Sequence, residues 1–240
     1  MPDLQTPPFT PTDPWIRALV AKPNTIIRVP SNRVSKPSTE DSLFADTLQT
    51  SRTFPECFIF YSDPALSASR SSSSAASGDV EERIQEVHFL VRIGDGLNGH
   101  PAILHGGIVA ALVDEGMGVL QTVNHERAHM LHLRQRKSLE GNGDDVGEGR
   151  MSEGSGDALS SLPPLGSFTA ELKIRYRRPV STPGEVLCTA RYVRREGRKE
   201  WIEAAIRQGE VDGVAEGDGM VTCAIGEGLF IEPKKKDVKL

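Results

Sequence analysis

Chemistry in this 240-residue chain concentrates at His105-Gly106-Gly107 and at Asp114, nine residues after the histidine. A pair of glycines lets a ligand approach bare backbone. The first N–H groups of a helix starting there lack partners and point outward, where they can hold a developing oxyanion, and the helix dipole favours negative charge at the same place. Asp114 supplies a carboxylate that can act on an activated carbonyl as general base or as nucleophile. Along an α-helix the step from Gly106 to Asp114 spans ~12 Å, too far to address one carbonyl within one chain. A site using both therefore takes its glycine end from one subunit and its aspartate from another. The same residues also fit a plainer arrangement, a Gly-rich turn before a core helix whose two acids, Asp114 and Glu115, share its one wet face.

Two further constellations carry possible chemistry. His125-Glu126-Arg127-Ala128-His129 satisfies the H-E-x-x-H pattern of zinc peptidases, with His132 as a third ligand, and gives a zinc-hydrolase alternative. Against it, Arg127 stands where such helices bury an apolar residue, which fits an exposed helix end. Arg191, Arg194, Arg195, Arg198 and Lys199 cluster about an expected hairpin and could bind phosphate groups at a strand end, although Glu196 and Glu200 make the same stretch a solvated hairpin of mixed charge.

The elements that must position these residues follow from the apolar pattern. Residues 105–121 are apolar round almost the whole helical circumference, which predicts a helix buried on most sides. Before it, 57–61 and 83–93 read as strands, with a Gly-rich, irregular loop at 94–101. After it, Leu172, Ile174 and Tyr176 alternate with Glu171, Lys173, Arg175 and Arg177, the pattern of a strand with one wet face. Three more strands are expected at 186–193, 201–207 and 220–231, the first two joined at Glu196-Gly197-Arg198. Strands, one buried helix and then an antiparallel meander make an α+β arrangement in which a curved sheet wraps the helix. Residues 1–53 read as an extension, partly disordered, with short helices at 15–20, capped by Asp13-Pro14, and at 41–48, capped by Thr39 or Asp41. The domain proper covers 54–231, with inserted loops at 62–82, mostly Ser and Ala, and at 134–166, without helical or strand period; a basic tail, 232–240, ends the chain.

Acidic residues number 33 against 28 Lys plus Arg, a formal charge of −5, which argues against a general nucleic-acid binder. The two inserted loops carry all of that excess, so the rest of the chain does not oppose a phosphorylated substrate. Hydrophobic residues make up only 38% and aromatics 5%, so part of the chain is expected outside any core. No run of about 18 apolar residues is present to span a bilayer. The N-terminus lacks the basic region of a secretory signal and the arginines of a transit peptide. Cys57, Cys188 and Cys223 lie far apart and cannot all pair with one another, which fits a reducing compartment. Cytoplasm is the expected location, with peroxisome or mitochondrion as alternatives; Asp237-Val238-Lys239-Leu240 matches a peroxisomal tripeptide in its last two residues, with Val238 replacing the small residue.

Asn98-Gly99-His100-Pro101-Ala102-Ile103-Leu104-His105-Gly106-Gly107-Ile108-Val109-Ala110-Ala111-Leu112-Val113-Asp114, with Phe168-Thr169-Ala170-Glu171-Leu172-Lys173-Ile174-Arg175-Tyr176-Arg177-Arg178-Pro179-Val180 downstream, resembles the hotdog-fold acyl-CoA thioesterases. The likeness is greatest to the phenylacetyl-CoA thioesterase-like branch, which carries His-Gly-Gly before the helix and an acid within it. It covers about residues 54–231. The resemblance implies a curved antiparallel sheet round one long central helix, a homodimer or dimer of dimers with sites at the subunit interface, an acyl-CoA substrate, and no metal or redox cofactor. It also implies roles. Gly106 gives the oxyanion N–H, Asp114 is the catalytic carboxylate, His105 shapes or polarises the carbonyl site, and the Thr169 hydroxyl orients water or the carboxylate. Gly107 and the basic residues Arg194, Arg195, Arg198 and Lys199 are the expected substrate contacts. Related enzymes often carry an Asn six residues before the histidine; here Gly99 takes that place and Asn98 lies one residue earlier, as a further candidate. The superfamily also holds binding-only proteins, so a non-catalytic acyl-CoA-binding or regulatory role is the alternative.

Overall fold

The computed structural model describes residues 6–64, 83–140, 166–210 and 219–234, with side chains left out at 134–140. The Ser/Ala tract at 67–78, most of the second inserted loop and the C-terminal tripeptide lie outside the described residues. Seven strands form one antiparallel sheet: β1 (Thr25–Arg28), β2 (Cys57–Ser62), β3 (Glu86–Ile93), β6 (Phe168–Tyr176), β7 (Gly184–Glu196), β8 (Lys199–Gly209) and β9 (Met220–Ile231), in the order β1-β2-β3-β7-β8-β9-β6. The short strands β4 (Asn98–His100) and β5 (Ile103–Leu104) pair separately, so the Gly-rich loop expected at 94–101 contains regular structure after all. Helix α1 (Pro14–Val20) begins as its sequence predicts, the Asp13 carboxylate accepting the N–H groups of Trp15 and Ile16 at 2.7 and 3.2 Å. The helix expected at 41–48 is a single π turn, Leu43–Thr47.

Helix α2 (Gly106–Glu140) packs across one face of the sheet, the α+β hotdog arrangement expected from the sequence. Leu112, Val113, Met117 and Leu120 are fully buried against it. Close approach is possible because glycines stand at the contact. A Cβ on Gly226 of β9 would lie 2.3 Å from Val113 Cγ1, and one on Gly116 of α2 would lie 2.4 Å from Cys188 Sγ on β7. The helix runs 19 residues beyond the expected end at Gln121, so the inserted loop does not start at 134. By length and composition alone Gly106–Leu133 could cross a membrane, since one 18-residue stretch of it has a mean hydropathy of 1.2; half of that stretch is buried, as in a core helix.

The boundary drawn at residue 53 does not mark the edge of the packed unit. Strand β2 has both faces covered, which accounts for its continuous apolar run: Cys57, Ile59 and Tyr61 face the α2 core, while Phe58 and Phe60 join a second cluster with Phe9, Ile16 and Ile27 on the opposite face. The N-terminal segment thus crosses the outer face, adds β1 at the sheet edge, and turns inward, where Phe44 and Leu48 enter the α2 core. Arg33, 7% exposed, fixes that return by donating to the carbonyls of Phe44 and Phe54, each at 2.6 Å. Edge strand β6 departs from its expected single wet face: Phe168 and Tyr176 are 61% and 56% exposed, and Leu172 and Ile174 are only partly covered.

Candidate active site

The β4–β5 hairpin delivers the chain to the start of α2. Leu104 N–H donates to Val180 C=O and His105 N–H to Leu97 C=O, both at 2.9 Å, so the turn preceding the helix is held from two sides. His105 Nδ1 accepts the Gly107 N–H at 3.0 Å. This makes the histidine a cap for the first turn and places the proton of the neutral ring on Nε2. Gly107, expected as a substrate contact, therefore has its N–H occupied. The Gly106 N–H finds no acceptor among the described residues, whereas its carbonyl accepts from Tyr176 Oη at 2.8 Å. Tyr176 entered the sequence reading only as one step of a strand alternation; its bond to the helix start could not be read from that. Gly99 lies against His105, where a Cβ would come 3.0 Å from the ring. Asn98 turns elsewhere, its Oδ1 accepting from Thr182 Oγ1 at 2.5 Å, and braces the hairpin rather than touching Asp114 or His105.

Asp114 lies about two helical turns further along α2. Thr169 Oγ1 of β6 donates to Asp114 Oδ1 at 2.9 Å, bringing these two predicted residues together. Both line a cleft of about 390 Å³ between α2, the end of β6 and the inward return of the N-terminal segment. Gly106 does not line it, as expected from the helical spacing. Beside Asp114, Glu115 faces the same cleft and accepts a hydrogen bond from Asn32 Nδ2, a residue on the N-terminal return. Burial, the largest influence, pushes the Glu115 carboxyl up from 4.5 to about 7. The Asn32 bond opposes that shift, and the charges of Asp41 and Asp114 add to it. In the sequence Glu115 stands only as the second acid of the wet face; the residue that bonds it, Asn32, comes from the segment expected to be an extension.

The other predicted groups lie elsewhere. Arg194 pairs with Glu196 at 2.9 Å and stacks over the Trp201 ring at 3.7 Å. Arg195 pairs with Glu232 at 2.7 Å and with Glu200 at 3.4 Å, Arg198 donates to the Glu232 carbonyl at 2.6 Å, and Arg191 pairs with Glu203 at 2.8 Å. With Lys199 they occupy the β7–β8 hairpin, and none lines the Asp114 cleft. In the zinc pattern, His125 and His129 are on α2, but Glu126, the acid such chemistry would use as base, is ion-paired with Arg28. Among the described residues no three His, Cys, Asp or Glu side chains are grouped to hold a metal. Cys57, Cys188 and Cys223 are buried free thiols.

No family model matches the chain. A curated protein, Verlamelin biosynthesis protein B of Lecanicillium sp, is 32% identical over 82 residues, 34% of this chain and 32% of that protein. The chain therefore spans about a third of the length of that relative. Among solved structures, the thioesterase superfamily protein RHA08564 is 22% identical with a TM-score of 0.36, over 61% of this chain and 51% of the other. The conserved protein PA5202 from Pseudomonas aeruginosa is 22% identical with a TM-score of 0.39, over 62% and 81%.

Proposed function

We propose that the protein is a thioesterase that hydrolyses an acyl-CoA, or a related acyl thioester, at a site shared by two copies of the chain. The observation that carries this reading is the Asp114 carboxylate, held by the Thr169 hydroxyl in the wall of a cleft, on a helix whose first N–H is open. In the reaction the thioester oxygen lies against the Gly106 N–H of one copy. Asp114 of the other copy takes a proton from water as the hydroxide oxygen bonds to the carbonyl carbon, and the resulting oxyanion stays on the Gly106 donor. Collapse breaks the carbon–sulfur bond. The carboxylic acid forms, the electron pair leaves on coenzyme A thiolate, and the proton on Asp114 passes to that thiolate or to solvent. A thiolate is stable enough near neutral pH to leave without a strong acid behind it.

The exposed faces of β6 and its free edge support the second copy, since an uncovered strand edge is a pairing surface. Asp114→Asn tests the reading. Free-thiol release from a panel of acyl-CoA thioesters is expected to fall by about 10²-fold or more while acyl-CoA binding persists. A wild-type protein that binds acyl-CoA and never releases thiol is a binding protein, and the hydrolase reading then fails.

A further inference from the structure

Glycine is the poorest helix former after proline, so a glycine in the middle of a helix calls for a reason. Within α2 Gly116 has one, since a Cβ there would lie 2.4 Å from Cys188 Sγ on β7. Gly118 has no such neighbour. A Cβ on it would meet nothing within 4 Å among the described residues, although Met117, Val119 and Leu120 beside it are buried. Packing against the sheet therefore does not ask for glycine at 118. The open space next to it is the Asp114 cleft, which Gly118 lines. Asp114 and Gly118 stand one turn apart on the same side of the helix, ~6 Å along its axis. The cleft reaches on from there toward Glu126, and four of its apolar lining residues, Ile59, Val119, Val123 and Phe230, belong to the core beneath it. Its other walls, the N-terminal return at 30–32 and the end of β6, come from this same chain.

Resting on the thioesterase reading above, we infer that Gly118 is a specificity-determining residue, the open point past which an extended acyl chain runs from the thioester at Asp114 into the cleft. The carbonyl carbon is held next to Asp114, so a chain leaving it along the cleft crosses the helix face at Gly118 first. With hydrogen in place of a side chain, the backbone there is a floor on which methylene groups can lie, and each further methylene removes apolar surface from water. A short acyl group ends before that point, and its turnover does not depend on residue 118. A branched side chain at 118 projects into the space the longer chain needs. The substrate class is thus a straight-chain acyl thioester long enough to pass one helical turn, rather than an acetyl or propanoyl thioester.

The test is the chain-length profile of Gly118→Leu, measured beside the wild type as free-thiol release from straight-chain acyl-CoA thioesters, acetyl to hexadecanoyl. Gly118→Leu is expected to lower kcat/KM on decanoyl-CoA by about tenfold or more while butanoyl-CoA stays within about threefold, so that the preferred chain becomes shorter. A profile of unchanged shape, whether every rate falls together or none does, overturns the inference and leaves the thioesterase reading standing. So does a wild type that works better on acetyl-CoA than on decanoyl-CoA. Gly118→Ala supplies a check that needs no substrate. With only open space to fill and a better helix former in place, it is expected to raise Tm; a lower Tm would show the position covered, as by a second copy of the chain, and also overturns the inference. Should the wild type release thiol from no thioester, the thioesterase reading falls instead. Calorimetric binding of decanoic acid then decides this inference: binding weaker in Gly118→Leu than in the wild type by about tenfold upholds an acyl channel at Gly118, and equal or undetectable binding refutes it.

Discussion

Two adjacent carboxylates on α2 stand in different surroundings because their neighbours differ. Asp114 is held by a hydroxyl from β6. Removing that hydroxyl in Thr169→Ala is expected to lower kcat by about tenfold, the scale of one hydrogen bond to a charged group, with little change in KM. A larger loss in KM than in kcat would make Thr169 a substrate contact instead. Glu115 titrates in the folded protein near pH 7 rather than 4.5, so the native state holds its proton more tightly than the unfolded chain does. Its contribution to stability is complete below about pH 4.5 and lost as the pH rises through about 7. Glu115→Gln removes that dependence. Denaturation curves across the window should show the wild type losing ground to Glu115→Gln as pH rises, by up to about 3 kcal/mol. A difference independent of pH would show that the carboxyl is not buried as described. The resemblance names Asp114, Thr169 and His105 because they stand in or beside its motifs, and the structure brings Thr169 onto Asp114. It gives no role to Glu115, Asn32 or Tyr176, because each depends on a contact between segments far apart in the chain.

Strands β2, β3, β7, β8 and β9 announce themselves by alternation or by continuous apolar runs, and the turn between β7 and β8 by Glu196-Gly197-Arg198, where Gly197 takes a positive φ of 57° between paired Glu196 and Lys199. The far half of α2 did not. It carries more polar residues, and several of these are held by distant segments: Arg28 on Glu126, Asp63 on Arg127 at 2.5 Å, and Asn124 donating to the Ile84 carbonyl. The contact between helix and sheet is argued from size alone. Gly226→Ala puts a methyl 2.3 Å from Val113 Cγ1, so α2 or its side chains must shift. Destabilisation of about 1–3 kcal/mol, read as a lower Tm, is expected. Because the shift acts on the residue before Asp114, activity should fall further than stability does; an unchanged kcat would separate the sheet contact from the site.

For the whole molecule the prediction concerns who owns the site. The atoms nearest a Cβ at Gly106 belong to Tyr176, at 3.7 Å and beyond, in ordinary contact, and proline is favoured at the first helical position, so Gly106→Pro removes the open N–H while keeping the helix. Gly106→Pro and Asp114→Asn should each be inactive alone. Unfolded and refolded together, they should recover about a quarter of wild-type activity, since half of randomly assorted dimers are mixed and each mixed dimer holds one intact site. No recovery would place both groups in one chain. The wrap of the N-terminal segment has a consequence in time. Thr12 bonds Glu185 across 173 residues of sequence, and the outer cluster joins Phe9 to Leu187 and Met220. The segment around Phe9 meets Phe58 of β2 early, but its outer cluster is complete only once Met220 of β9 has been made. Folding should accordingly be slow, governed by these distant contacts, and a nascent chain stopped before Met220 should leave its first segment open to proteases.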